Sequence, residues 1–270
     1  MKERNYKMSI IDQFIYAVSK PKEYPKLIQQ KMGRVLNFAF VISVLMTIIS
    51  FVIPLVGYQL SLSGLHDFFK EGIPQFQIQD SELQMDGTLE MSVFGIDIQV
   101  DPTVEKYTIN DLDDSVFAQI LVSKTNAVVY NTMFVNEISF DSIKGITIDN
   151  NFLVEMVPVI YGMEVIAVFM MIISQFIAYL MGAAGYAFVA LSFLSLKPNM
   201  TSTIAIVDMF KIGVYCKALM SFLTAINESL GYVVGIYYWQ TAVCLVSFVY
   251  LAKGVTAYVA KKNTPSEKMS

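Results

Sequence analysis

Val35 to Val56 (VLNFAFVISVLMTIISFVIPLV) is a run of twenty-two residues without a single charge. No other feature limits the possible folds so sharply. A helix rises about 1.5 Å per residue, so ~20 apolar residues are enough to cross the ~30 Å hydrocarbon core of a bilayer. Inside that core every backbone N–H and C=O must be satisfied within the chain, which a continuous helix does.

Three further apolar blocks follow. Val157 to Leu196 is apolar except for Glu164 and is too long for one upright span. Ile204 to Ile226 is interrupted by Asp208, Lys211 and Lys217, and Val233 to Ala252 is uncharged. The chain is 55% hydrophobic and 16% charged, whereas a soluble domain carries about 25% charged residues. The expected architecture is an α-helical polytopic membrane protein with four transmembrane helices, at residues 35–56, 157–181, 204–228 and 233–252. In the second block Gly182-Ala-Ala-Gly185 permits close packing or a bend, and Tyr186 to Leu196 reads as an apolar extension of the span. The alternative is a hairpin of two spans within Val157–Leu196.

Loop charges give the orientation. Lys2, Arg4, Lys7, Lys20, Lys22, Lys26, Lys31 and Arg34 precede the first span, Lys197 lies between the second and third, and Lys253, Lys261, Lys262 and Lys268 follow the fourth. Between Gly57 and Met156 stand four lysines and sixteen acidic residues, a net charge of −12. Basic flanks stay on the cytoplasmic side. The expectation is a plasma-membrane protein with residues 1–34 and 253–270 cytoplasmic and residues 57–156 outside. Four spans place both basic ends inside; five would put the basic tail outside. Tyr232, Tyr237, Tyr238 and Trp239 suit the outer interface, Tyr250 and Tyr258 the inner one.

The acidic segment reads as a β-rich (α+β) extracytoplasmic domain inserted between the first two spans. Phe76 and Ile78, then Leu83 and Met85, recur at period two around Asp80-Ser81. After the Asp86-Gly87 turn the alternation continues through Leu89, Met91 and Val93, and again from Gly95 to Val100. Phe117–Val122 and Ala127–Tyr130 flank Ser123–Asn126 as a hairpin. Ile146 and Ile148 mark a last short strand, and Ser139–Ile143 a helical turn. Near the N-terminus, Ser9–Ser19 places Ile10, Ile11, Phe14, Ile15 and Val18 on one helical face. Such a helix lies in the headgroup layer or packs against the ends of the bundle.

No residue pattern points to catalysis, a cofactor or a metal. The single histidine, His66, excludes HExxH zinc sites and histidine clusters and reads as an interfacial polar residue. Cys216 and Cys244 sit one in each of the last two spans and read as small apolar fillers. Lys217 and Ser221 have the spacing of a Ser–Lys dyad but no oxyanion element beside them. Asp111-Leu-Asp113-Asp114-Ser115 lacks the spacing and closing Glu of a calcium loop; turn and N-cap use accounts for it. The sequons at Asn199 and Asn227 are set aside, the first as cytoplasmic and the second as pressed against the membrane.

Short motifs give the chain a resemblance. Ser19-Lys-Pro-Lys-Glu-Tyr24, Ile73-Pro-Gln-Phe-Gln-Ile78, Val100-Asp-Pro-Thr103, Ile120-Leu-Val-Ser-Lys124 with Val128-Val-Tyr130, and Met209 to Leu219 together resemble the Gram-positive membrane family called domain of unknown function 1189. That family includes proteins described as "maltodextrin utilisation". The resemblance implies one span, an extracytoplasmic domain and then a group of spans, and it brings no catalytic signature. The Pro that it leads one to expect in the third span is absent.

Charges inside spans are costly unless paired or wet. Glu164 and Lys217 are the deepest, at depths that would let them form an intramembrane pair; Asp208 and Lys211 are three apart and expected to pair locally. The functional expectation is a non-enzymatic accessory or regulatory membrane protein. Its outer domain would contact a partner or envelope ligand, and its helices would meet lipid and dock on another membrane protein, such as a transporter, or on a second copy. The alternative is a small transporter or channel component using Glu164 and Lys217. Nothing suggests nucleic-acid binding.

Overall fold

The computed structural model describes residues 8–93, 96–113, 116, 118–131, 134–195 and 205–263. Lys197, the Asn199 sequon, Asp114, Phe117 and the last residues of the basic tail lie outside this set. The chain divides into two compact units, Met1–Val56 with Val165–Ser270, and Gly57–Glu164.

The helices are α1 (Ile10–Ser19), α2 (Tyr24–Ile28), α3 (Met32–Thr47), α4 (Ile53–Ser61), α5 (Leu65–Asp67), α6 (Asn150–Ser195), α7 (Ile206–Ser229) and α8 (Ile236–Asn263). A five-residue π-helical stretch, Ile48–Val52, joins α3 to α4, so Met32–Ser61 is one continuous helix. Met32–Ser61, Asn150–Ser192, Ile206–Ser229 and Ile236–Lys262 are long and apolar enough to cross a membrane.

In the helical unit, α7 packs against α1, α2, α3 and α8. Met209, Ile212, Val214 and Tyr215 are fully buried, and the Tyr215 ring lies 5.0 Å from that of Phe38. Helix α6 starts at Asn150, seven residues before the expected boundary. Asp149 caps it, its Oδ1 accepting from the Phe152 N–H at 2.8 Å. It then runs unbroken through Gly182 and Gly185, so the block holds no hairpin up to Ser195. A glycine costs a helix about 1 kcal/mol; Gly185 faces open space, whereas Gly182 and, on α7, Gly213 stand at close contacts. A Cβ at Gly182 would run into the Lys217 ammonium, and one at Gly213 of α7 would collide with the Ala183 carbonyl oxygen.

Helix α1 docks on the bundle by a face rotated from the one its apolar pattern suggests: Ile10 and Phe14 pack against the core, but the face is centred elsewhere. A Ser9–Asp12 capping box starts it. Gln13 and Ala17 are buried, while Ile11 is 72% exposed. Gln13 Oε1 accepts from the Tyr215 hydroxyl at 2.8 Å, and its Nε2 donates to the Met8 carbonyl at 3.3 Å. A polar anchor thus decides the orientation, and Ile11 and Ile15 are left facing outward. The local pairing expected of Asp208 and Lys211 gives way to separate contacts. Asp208 accepts from the Tyr258 hydroxyl at 2.6 Å, and Lys211 donates to the Ile28 carbonyl at 2.8 Å.

The second unit contains two sheets, ordered β2-β1-β8 and β3-β4-β5-β6-β7. The strands are β1 (Phe76–Gln79), β2 (Glu82–Met85), β3 (Leu89–Val93), β4 (Ile96–Val100), β5 (Ala118–Val122), β6 (Asn126–Asn131), β7 (Phe134–Ser139) and β8 (Ile148–Asp149). Asp80 and Ser81, which interrupt the alternation, both have positive φ and form a two-residue turn of the kind that matches strand twist. Only β4–β5 is parallel. Its crossover folds back over the five-stranded sheet, where Tyr107 joins Leu121 and Val128 in a small core. Asn126 holds the crossover, its Oδ1 accepting from the Tyr107 N–H at 3.0 Å and its Nδ2 donating to the Tyr107 carbonyl at 2.7 Å. Asp111 serves in a capping box, though not as its N-cap: Thr108 is the N-cap, and the Asp111 Oδ2 accepts from the Thr108 N–H at 2.7 Å and hydroxyl at 2.8 Å.

The close approach of α7 to α6 sets a test. Gly213→Ala should cost about 1–3 kcal/mol, because the added methyl has no room, whereas Gly33→Ala has nothing within 4 Å and should gain up to ~1 kcal/mol. Paired melting curves in detergent would show the two shifts in opposite directions.

A second test concerns pH. Asp101 is held below the usual carboxylate range by the Thr103 hydroxyl and N–H, Asp111 by the Thr108 N–H and hydroxyl, and Glu137 by its hydrogen bond to Lys106. A depressed native pKa stabilises above the unfolded value, about 4, and that contribution is lost as pH falls through the folded values. Circular-dichroism melts of the β signal should therefore be flat from pH 7 to about 5 and drop below about 4.

Candidate functional site

The alternating apolar residues of the β-rich segment close only in part on a core, in which Ile78 and Leu83 are buried with Phe140. They also line a half-enclosed cavity of 480 Å³ within the second unit. One side comes from the three-stranded sheet through Phe76, Ile78, Leu83, Met85 and Ile148, the other from the five-stranded sheet through Leu89, Met91, Ile98, Val100 and Val122. The rest is helical: Tyr58, Gln59 and Leu62 around the end of α4, and Leu153, Ile160 and Glu164 at positions i, i+7 and i+11 on one face of α6. Phe68, Phe69, Ile73 and Pro74 close the segment between. The cavity lies in the ~300–1,000 Å³ range of ligand pockets. Its size and apolar lining make it the candidate ligand site.

Two polar side chains brace the cavity, Gln59 from within its lining and Asn150 from beside it. Asn150, buried at the start of α6, has its Oδ1 accept from the Phe76 N–H at 2.9 Å and its Nδ2 donate to the Phe69 and Pro74 carbonyls at 3.0 and 3.4 Å. It thereby fixes strand β1 and the preceding loop to the helix. Gln59 Nε2 donates to Glu164 Oε1 at 2.7 Å, joining α4 to α6 across the cavity margin. Neither Asn150 nor Gln59 stands out in the sequence. The available signals are an Asx residue where a strand passes into a helix, and an amide in the turn after an uncharged run.

Glu164 and Lys217 each have a partner within their own unit. That of Glu164 is Gln59. Lys217 Nζ donates to the Ala178 carbonyl at 3.1 Å and stands 5.2 Å from the Tyr179 ring centre. The depth argument counts residues from helix ends and takes no account of these nearer groups. Lys217 also lines a second cavity, 210 Å³, with Gln175, Ser221, Thr224 and Glu228. Ser221 and Lys217 therefore share a pocket, but the ammonium is engaged by a carbonyl and an aromatic face. His66 is exposed and contacts Asp67 through Nδ1 at 2.9 Å. No group of three or more metal-ligating side chains occurs among the described residues.

Four helices long and apolar enough to cross a membrane, together with a β-sheet unit inserted between the first two, define the class: a mostly helical protein with an inserted β unit. Residues 11–255 match the family model described as "Protein of unknown function (DUF1189)", and the chain belongs to that family. No curated protein matches it. No solved structure does either.

Because Glu164 and Lys217 have separate partners, Glu164→Gln and Lys217→Met should lower the detergent melting temperature additively, with a coupling below about 0.5 kcal/mol. A large positive coupling in the double-mutant cycle would instead mean that the two charges meet.

Proposed function

We propose that the chain is an integral membrane protein of four spans, both termini cytoplasmic, that acts without catalysis as an accessory or regulatory protein. Residues 57–156 stand outside and receive a ligand or partner, while the helices dock on another membrane protein. The observation that carries this reading is the surface of α6. Only 6% of its most apolar window is buried, against 56% for α7. Met163, Ile166, Phe169, Met170, Met181 and Phe188 all face outward and are more than half exposed. Water does not tolerate a continuous apolar stripe of this extent on a soluble surface; hydrocarbon does.

The orientation is supported by the basic residues Lys20, Lys22, Lys26, Lys31 and Arg34 before the first long helix and Lys261 and Lys262 at the end of the last, set against the acidic insert. Contact with a partner is supported by β7, which forms an edge of the five-stranded sheet. It is exposed along its whole length and bears Phe134, Val135 and Ile138 outward. An open strand edge is a site for strand addition. The second reading, a transporter component, is favoured by the polar cavity around Lys217, where Gln175, Thr224 and Glu228 gather inside the helical unit.

Topology is open to direct measurement. With Cys216 and Cys244 replaced, single cysteines at Ser81 and Thr125 should react with an impermeant thiol reagent in intact cells. Those at Lys22, Asn199 and Thr264 should react only after the membrane is opened. Labelling of Asn199 from outside would overturn the four-span reading. Purification in mild detergent then separates the two functions: a stoichiometric partner supports the accessory role, a lone oligomer supports transport.

A further inference from the structure

We propose that the 480 Å³ cavity holds one acyl chain of a membrane phospholipid, an inference that rests on the membrane reading above and names the ligand of its outer unit. The lining decides the chemistry. Of the side chains that form it, three carry polar groups: the Tyr58 phenol, and the Gln59 amide and Glu164 carboxylate, which are hydrogen-bonded to each other. The backbone of β1 to β5 that frames the cavity is engaged in strand ladders. The Phe76 N–H and the Phe69 and Pro74 carbonyls beside it are taken by Asn150.

A ligand inside would thus find few groups to hydrogen-bond. A sugar, a nucleotide or a peptide would have to strip its polar groups of water with little in return, a cost of several kcal/mol per group in an apolar medium. A saturated hydrocarbon chain loses nothing and gains contact with Leu, Ile, Val, Met and Phe walls. Because the cavity is only half enclosed, the polar head of an amphiphile remains outside.

The source follows from the helices. Tyr58, Gln59, Ile160 and Glu164 lie on the same continuous helices, Met32–Ser61 and Asn150–Ser192, that are long and apolar enough to cross a membrane. Beside these lining residues, Val56, Leu60, Val159 and Met163 are exposed. Apolar surface therefore runs along both helices up to the cavity wall, and a lipid tail can enter from the bilayer without crossing water.

The test uses the full chain in detergent with Trp239, the single tryptophan, changed to phenylalanine. Phe69→Trp then places a reporter in the cavity wall, and Tyr107→Trp places a control under the crossover, among residues that do not line the cavity. A phospholipid with brominated tails, added at one equivalent, should quench Phe69→Trp saturably and leave Tyr107→Trp bright. Native mass spectrometry of the unlabelled chain should show one retained phospholipid.

Equal quenching at both positions, or none at either, would overturn the proposal. Quenching by brominated fatty acid and not by phospholipid would overturn the assigned source. Failure of the underlying reading is distinct: a chain released from membranes by alkaline carbonate is not integral, whereas an integral chain whose cavity reporter is never quenched refutes only the acyl-chain site. If Phe69→Trp does not fold, Val122→Trp offers a reporter from the opposite wall.

Discussion

Helix α7 cannot turn a polar face to solvent, and much of the helical unit is organised by that constraint. Helices α1, α2, α3 and α8 pack on it and α6 approaches it closely, so its hydroxyls, amines and carboxylates must be matched by specific atoms of its neighbours. Tyr215 reaches the amide of Gln13, Lys211 the end of α2, Asp208 the hydroxyl of Tyr258 on α8, and Lys217 a carbonyl of α6. Each contact joins α7 to a different helix. Apolar packing alone would allow these helices to slide or rotate. Buried polar groups do not, because any other register leaves a donor or acceptor unmet. The tight spots follow from the same closeness: glycine stands where α7 meets the Ala183 carbonyl, and where α8 meets the Tyr24 ring at Gly254.

The β unit applies opposite logic. Its sheets have apolar faces, yet those faces enclose space. What keeps the space open is the polar work at its margin, Asn150 fixing the start of β1 and Gln59 tying α4 to α6. Side chains that in a compact sandwich would interdigitate here form a lining. Two small cores supply ordinary burial, Ile78, Leu83 and Phe140 beside the cavity and Tyr107, Leu121 and Val128 under the crossover, so the unit does not depend on filling the cavity to gain a packed core.

Much of this can be read from the sequence, and the limit is physical. The long apolar helices follow from runs without charge, and strands β1 to β6 follow from period two and turn residues, since both are local signals. The helical turn after Ser139 and the Thr108–Asp111 cap are legible for the same reason. Pattern fails where a polar atom chooses between faces. Helix α1 looks anchored by its isoleucines but is oriented by Gln13, whose partner lies two hundred residues away. Asp208 and Lys211 look paired because three-residue spacing permits it, while nearer acceptors lie on other helices. The cavity is hidden for a related reason: an alternating strand looks the same whether its inward face meets another side chain or a void.

The pairing of β1 with β8 has a further consequence. Gln77 opposes Asp149 and Ile78 opposes Ile148, so the three-stranded sheet joins the first and last strands of the unit across some seventy residues. Closing so long a loop is entropically costly and slow compared with forming the β1–β2, β3–β4 and β5–β6 hairpins. During synthesis the β1–β2 hairpin exists for the whole time needed to make the five-stranded sheet, with Phe76, Ile78, Leu83 and Met85 uncovered. Such half-built edges are where chains associate wrongly. Phe140 covers Ile78 and Leu83, and the start of α6, which follows β8 directly and carries Asn150, then closes the edge of β1. The chain's last act in building its β unit is also its first step into the next long helix.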